Sequence, residues 1–422
     1  MSSPLGQPLT LPNGTVLPNR LAKSAMTEGL ADQFDRPTPE HNQLYRTWSQ
    51  GGTGLHITGN VMIDRRYLER AGNVVLEDNS ALDRFKQWAE AGTVGGNHLW
   101  VQLNHPGRQC PRMVNSEPLS PSEVQLDILG NFGKPRAMTE DDIQDVITRF
   151  TRSASLVKEA GFTGVQIHCA HGYLLSQFLS PKINQRQDQW GGSLENRARI
   201  IREIIRSVRA AVGNEFPIGV KLNSADFQKG GFSLDECVTV AGWLGEEGID
   251  LLEISGGNYE QPSLMGAEST EVRESTRKRE AYFIEYAEQI KASAKIPVMI
   301  TGGFRSRAVM ERAIESGEVD VIGLARPLCT QTDCSRQLIE QSIEQLDDYE
   351  SELVLGKGFW GNNSPLNLIK AINGFGQMGF YYWQMIRLSK GKSPETGMRT
   401  MRSFLRHMRN DFRLNIRRKL AQ

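Results

Sequence analysis

Eight short, nearly continuous apolar runs recur along the chain, at Leu21–Ala25, Gly54–Gly59, His98–Leu103, Gly164–His168, Ile218–Leu222, Asp250–Ile254, Pro297–Thr301 and Asp320–Leu324. Runs of this form predict parallel strands covered on both faces. Between them the pattern changes to that of an amphipathic helix. In Thr139–Ala160 the apolar residues Ile143, Val146, Ile147, Phe150, Ala154 and Val157 recur at three- and four-residue steps. Thr139 with Asp142 three residues on gives a capping-box start, and Gly161 gives a stop. Ser193–Val212, Ser233–Glu247 and Ser306–Ser316 repeat this serine- or threonine-led design, with Gly213, Gly248 and Gly317 after their last turns. Eight alternating units predict a TIM-type (β/α)8 barrel rather than a doubly wound sheet. Ahead of the first strand, Leu9–Leu17 carries Pro12-Asn13-Gly14 between two apolar runs, which predicts a hairpin plugging the bottom of the barrel.

The pattern divides the chain into a barrel at 1–335 and a helical extension at 336–422. Arg387–Gln422 holds 11 Lys+Arg against 2 Asp+Glu, a local charge of +9 in a chain whose net charge is zero. Met401, Phe404, Leu405, Met408 and Phe412 form one helical stripe, with Arg402, Arg406, Arg409 and Arg413 around it, after an aromatic cluster at 380–383. Two readings stay open. The stripe packs on the barrel or on a second subunit, or it forms a basic amphipathic surface for acidic lipid or nucleic acid.

Composition narrows the class. Hydrophobic residues at 39% and charged residues at 23% are ordinary for a globular chain. Zero net charge gives no whole-chain grip on nucleic acid, so no nucleic-acid partner is expected. The five cysteines are odd in number and irregularly spaced, so reduced thiols are expected rather than a disulfide framework. The first residues show no secretory leader, and no run of about 18 apolar residues occurs. The expected location is the cytoplasm.

The C-terminal ends of the strands are where a barrel builds its active site. Strand four ends in His168-Cys169-Ala170-His171-Gly172-Tyr173. Two imidazoles three apart can converge on a carbonyl or phenolate oxygen, with Tyr173 placed to deliver a proton. A structural pair of satisfied histidines is the alternative; a metal site is not expected, since no matching third ligand is present. Strands seven and eight end in Thr301-Gly302-Gly303 and Ala325-Arg326, a glycine pair and an arginine suited to a phosphate. Lys221 and Gln102 lie within apolar strands and need partners, either a ligand in the mouth or internal carboxylates and carbonyls. The polar segment Ser180–Arg197 reads as an internal network shaping its loop. Cys110 reads as an ordinary thiol, although Arg108 and Arg112 would favour thiolate.

Together these motifs resemble the Old Yellow Enzyme family of FMN-dependent ene-reductases. The matching residues are Asn19-Arg20-Leu21 leading into Ser24-Ala25-Met26-Thr27, Gln102 in QLNHPGR, IHCAHGYLLSQFLSP at 167–181, WGGSLENR at 190–197, Lys221 in GVKLN, Thr301-Gly302-Gly303 and GLARP at 323–327. The resemblance implies noncovalent FMN at the barrel mouth. Ser24 and Ala25–Thr27 would lie at the isoalloxazine, Gly59 and Gln102 at its pyrimidine side and Lys221 at N1 and O2. Gly302, Gly303, Ala325 and Arg326 would hold the phosphate. It also implies NADH or NADPH as hydride donor, and an activated alkene as small-molecule substrate held by His168 and His171 and protonated by Tyr173 or water. The two half-reactions would share one site in ping-pong fashion.

The chain departs from the family pattern in having lysine rather than arginine at 221 and threonine rather than cysteine at 27. It also lacks the iron–sulfur cysteine cluster of the dienoyl-CoA reductase branch. A tRNA dihydrouridine synthase-like barrel and a flavin-dependent isomerase are the competing readings. A homo-oligomer would accommodate the tail aromatics.

Overall fold

The computed structural model describes residues 2–128, 130–226, 228–255 and 286–421. Eight parallel strands form a closed barrel: β1 (Leu21–Lys23), β2 (Leu55–Met62), β3 (His98–Asn104), β4 (Gly164–Cys169), β5 (Ile218–Asn223), β6 (Leu251–Ser255), β7 (Val298–Thr301) and β8 (Val321–Leu324). Each pairs with the next in chain order, and β8 closes on β1 through Ile322↔Leu21 and Leu324↔Lys23. All eight predicted strands are present. β1 stops at Lys23, short of the expected Ala25, and β2 runs past Gly59 to Met62. A register shift between Ile57 and Asn60 lets β2 bend there.

The longer helices between strands are α1 (Pro39–Ser49), α2 (Leu82–Ala91), α3 (Glu140–Glu159), α4 (Leu194–Val212), α5 (Leu234–Glu246) and α6 (Arg307–Glu315), with short helices at Leu174–Leu179 and Cys334–Ile339. Residues 286–294 are helical as well. α3 and α5 begin with full capping boxes at Thr139 and Ser233, and the Ser193 hydroxyl accepts from Asn196 N–H. Ser306 makes no such side-chain bond; α6 is instead tied at its start by Arg307 N–H to Glu344 O, 2.9 Å.

The predicted hairpin pairs Leu9 with Leu17 and Thr10 with Val16. Its Leu11 and Leu17 are buried against Ala22, Leu55, Ile57, Trp100, Leu251, Met299 and Val321, which closes the bottom of the barrel with an apolar layer.

The extension contains α7 (Asn367–Leu388) and α8 (Thr400–Ala421). They cross closely because Gly376 and Gly379 have no side chain; a Cβ on Gly376 would lie 2.5 Å from Thr400 Cγ2 and one on Gly379 2.7 Å from Ser403 O. α8 then docks on the barrel rim. Arg418 gives Asp35 bonds of 2.9 and 3.1 Å and gives Arg65 O one of 2.7 Å, while Asp411 pairs with Arg70. The side of α8 that packs is therefore the polar one, with Thr400, Ser403, His407 and Arg418 buried. Met401, Leu405 and Phe412 of the expected stripe are exposed, and Phe404 and Met408 are half-buried. The rim offers charges rather than an apolar groove, so ion pairs select the docked face. Among the described residues, no helix is long and apolar enough to cross a membrane.

Candidate active site

Above the apolar plug, strand alternation turns a polar layer inward. Ile218, Val220 and Leu222 of β5 join the outer core, which leaves Lys221 facing the barrel axis. Its Nζ lies 2.9 Å from Glu253 Oε1, with side-chain exposures of 3% and 0%. Glu253 also accepts from Gln166 Nε2 at 2.7 Å and from Thr301 Oγ1 at 2.6 Å. Thr301 has one hydroxyl proton, so Ser24 Oγ donates to Thr301 Oγ1 across their 2.7 Å contact. Ser24, Lys221 and Thr301 thus meet in one network. The expectation that Lys221 needs a charged partner is met inside the protein, by a carboxylate the sequence reading did not single out. Such a buried pair holds because its polar neighbours satisfy both ions. Gly323 completes the layer: a Cβ there would lie 2.1 Å from Thr301 Oγ1.

In the same row, His168 pairs in register with Lys221. His168 Nδ1 accepts from Ala170 N–H at 3.2 Å, so the neutral ring carries its proton on Nε2. His171 adopts φ +60°, uncommon for a side-chain-bearing residue. The conformation is held by its own N–H to Asn223 Oδ1, 3.0 Å, and by Gln109 Nε2 to its carbonyl, 3.0 Å. Its Nε2 lies 2.8 Å from Ser255 Oγ. The two imidazole centroids are 5.1 Å apart, and the Tyr173 ring is 4.9 Å from His168. Burial depresses both imidazole pKa values well below the usual range, with the positive Lys221 adding to it and His171 acting further on His168. Both rings are neutral near pH 7.

A second network lies at β2 and β3. Gln102 Nε2 donates to Asn60 Oδ1 at 2.8 Å; Asn60 Nδ2 bonds Glu69, and Thr27 Oγ1 donates to the same Glu69 carboxylate at 3.1 Å. Gly59 N–H donates to Glu28 Oε1 at 2.8 Å, and a Cβ on Gly59 would lie 2.5 Å from Met26 O. The glycine is required by the approach of the Met26–Thr27 backbone and the Glu28 carboxylate. Ala25 is half-buried against the apolar plug, and Met26 Sδ is 3.7 Å from Cys329 Sγ. Gln102 Oε1 is buried with no partner among the described residues, as are both amide atoms of Asn104. Asn104 was missed in the sequence, although its position two residues after Gln102 puts both on the inner face.

At the far side, Gly302 and Gly303 adopt φ of +125° and +82°, and a Cβ on Gly302 would meet nothing within 4 Å. Ala325 leads into a short turn at Arg326–Cys329. Arg326 Nη1 and Arg305 Nη2 both reach Glu350 Oε1, at 2.8 and 3.0 Å. Burial opposes the charge on Glu350, but the Asp348 hydrogen bond and the two arginines outweigh it and hold its pKa at about 2. This acidic partner from the start of the extension was also missed.

Two further expectations concern residues around the site. Arg186 bonds Asp188, Pro121 O and Met138 O, and Asn184 bonds Phe178 O and Trp190 O, so the Ser180–Arg197 loop is the internal network expected. Cys110 is buried and its thiol is pushed up to about 12, chiefly by burial, so it is not an activated thiolate. All five cysteines are free and buried. Among the described residues, no three His, Cys, Asp or Glu side chains are grouped as metal ligands.

The set fits FMN. A buried amide acceptor without a partner suits a ring N–H, and an open glycine turn beside two arginines suits a phosphate. Fold and site together define a flavin-dependent (β/α)8 oxidoreductase. Residues 4–345 match the NADH:flavin oxidoreductase / NADH oxidase family, and the chain belongs to it. Its members are NAD(P)H-dependent flavin oxidoreductases and FMN is their flavin.

The chain is 38% identical over 346 residues to the NADH-dependent flavin oxidoreductase nadA of Aspergillus parasiticus, covering 78% of this chain and 77% of that one. It is 37% identical to the NADH-dependent flavin oxidoreductase iliE of Neonectria sp., covering 76% of this chain but only 45% of that longer protein. The structure of the Old Yellow Enzyme homologue from Zymomonas mobilis superposes with a TM-score of 0.69 at 23% identity, covering 86% of this chain and 99% of that one.

Proposed function

We propose that the protein uses NADH or NADPH, through FMN, to reduce the activated C=C bond of α,β-unsaturated carbonyl compounds or nitroalkenes. The observation that carries this reading is the pair of neutral imidazoles at the mouth. His168 Nε2–H is free to donate, because Nδ1 already accepts from Ala170. When bound, FMN would supply hydride transfer between the nicotinamide and the alkene.

The chain's own residues do the rest. Gln102 would hold the flavin ring edge through its unpartnered Oε1, with Gly59 and Ala25–Thr27 beside it. Gly302, Gly303, Ala325 and Arg326 would hold the phosphate. Lys221 presents a cation to the ring, tempered by Glu253. His168 and His171 donate hydrogen bonds to the substrate carbonyl or nitro oxygen and draw electron density from the double bond. Tyr173 Oη–H delivers the proton to the α carbon. Nicotinamide and alkene use this one mouth in turn, which supports ping-pong kinetics. The tRNA dihydrouridine synthase-like alternative draws no support from Cys110, which is buried with a raised pKa.

The test is steady-state kinetics of the FMN-loaded enzyme with NADH or NADPH and a panel of cyclic enones and nitroalkenes. Parallel double-reciprocal lines and a saturated product are expected. Nicotinamide oxidation by oxygen alone, with every alkene recovered unchanged, would overturn the proposal.

A further inference from the structure

The docked face of α8 is polar, so its apolar stripe points away from the barrel. Met401, Leu405, Phe412, Ile416 and Leu420 are exposed by 42, 59, 63, 39 and 83%. They recur at three- and four-residue steps with half-buried Met408 among them, which places them in one row. A second row runs along one flank: Arg402, Arg409, Arg413 and Arg417, all exposed. Arg402 pairs with Glu395 at 3.3 Å, whereas among the described residues Arg409, Arg413, Arg417 and the exposed Lys419 make no salt bridge. Where the rows meet, Arg399, Met401, Arg402, Leu405, Arg406 and Arg409 line an open groove. The two acidic residues of the 387–422 segment, Glu395 and Asp411, are already engaged, with Arg387, Arg402 and Arg406 and with Arg70 respectively.

We infer that this face of α8 docks on an anionic lipid bilayer, with the apolar row in the acyl boundary and the arginine row on the lipid phosphates. Charge decides between occupants. A second copy of the chain laid antiparallel on the stripe would bring one arginine row against another, a like-charge contact. Nucleic acid would engage the arginines and leave the leucine and phenylalanine side chains without a partner. A bilayer with acidic headgroups satisfies both rows at once. The surface adjoins the barrel mouth, because α8 is fastened to Asp35, Arg65 and Arg70, which follow β1 and β2 at their C-terminal ends.

The experiment is flotation of the FMN-loaded full chain with phosphatidylcholine vesicles, with and without phosphatidylserine. Recovery with the phosphatidylserine vesicles is expected, at least about tenfold above phosphatidylcholine alone and reduced by high salt. Leu405→Glu with Phe412→Glu should abolish it while leaving flavin content and melting temperature unchanged. Arg409→Gln, Arg413→Gln and Arg417→Gln together should remove the preference for phosphatidylserine. No flotation with either vesicle would overturn the proposal. So would a wild-type dimer in light scattering that the Leu405→Glu, Phe412→Glu variant breaks, since a second copy would then own the stripe.

Discussion

Two arginine-rich amphipathic helices in this molecule face opposite ways. α4 buries Ile200, Ile201, Ile204, Ile205 and Val208 and turns Arg202 and Arg206 toward Glu247 at its surface. α8 buries Ser403, His407 and Arg418 and leaves Leu405, Phe412 and Ile416 outside. Their sequences look alike; their surroundings do not. α4 meets the apolar outside of a barrel, so apolar burial dominates. α8 meets the glycines of α7 and a rim carrying Asp35, Arg65 and Arg70, so close backbone approach and a paired guanidinium decide. Amphipathicity identifies the stripe, and the partner decides which side is inside.

That contrast can be broken at its strongest contact first. Arg418→Met leaves Asp35 buried without its cation and should cost about 3–5 kcal/mol, seen as loss of hydrogen-exchange protection in α8. Adding Asp35→Asn should recover most of it. Retained protection in the single variant would mean the ion pair does not hold the helix. Next, Ile204→Ala should lower stability by about 2–5 kcal/mol in urea titrations. Leu405→Ala should stay within about 0.5 kcal/mol. Equal losses would show that the α8 stripe is covered.

A further effect comes from protons. Burial lowers His41 and His56 to about 3 and His105 to about 4 within the barrel. The unfolded chain, near the ordinary value of about 6.5, takes up protons first as pH falls. Stability is therefore full above that value and declines toward pH 4. The urea midpoint should fall between pH 7 and pH 5. A flat midpoint would mean that these rings ionise without unfolding.

Smallest in energy, but opposite in sign, are two changes in the polar layer. Lys221→Met should lower the flavin reduction potential, and Glu253→Gln should raise it. Equal shifts in one direction would deny the ring any sense of that pair.

The barrel was legible because each strand is an apolar run and each helix a periodic one. The histidine pair, the glycine turn and Arg326 were legible because strand ends locate a barrel's chemistry. What escaped were acidic or amide partners supplied from elsewhere in the chain. Glu253 sits in an apolar run read as a plain strand, yet it is as anomalous there as Lys221. Glu69 and Glu350 lie on connecting segments, where an acidic residue is unremarkable until the fold brings Thr27 or Arg326 beside it. Asn104 carried a signal in its two-residue spacing from Gln102. The face α8 presents carried none, because the stripe fits the period equally well buried or bare.

The central claim is that two neutral imidazoles and a flavin share one mouth. Titrating the FMN-loaded protein with p-hydroxybenzaldehyde tests it most directly. A new long-wavelength band in the visible spectrum is expected. The band should vanish in the His168→Ala, His171→Ala variant while its flavin absorption remains. A band that survives the double substitution, or flavin lost along with it, would contradict the account.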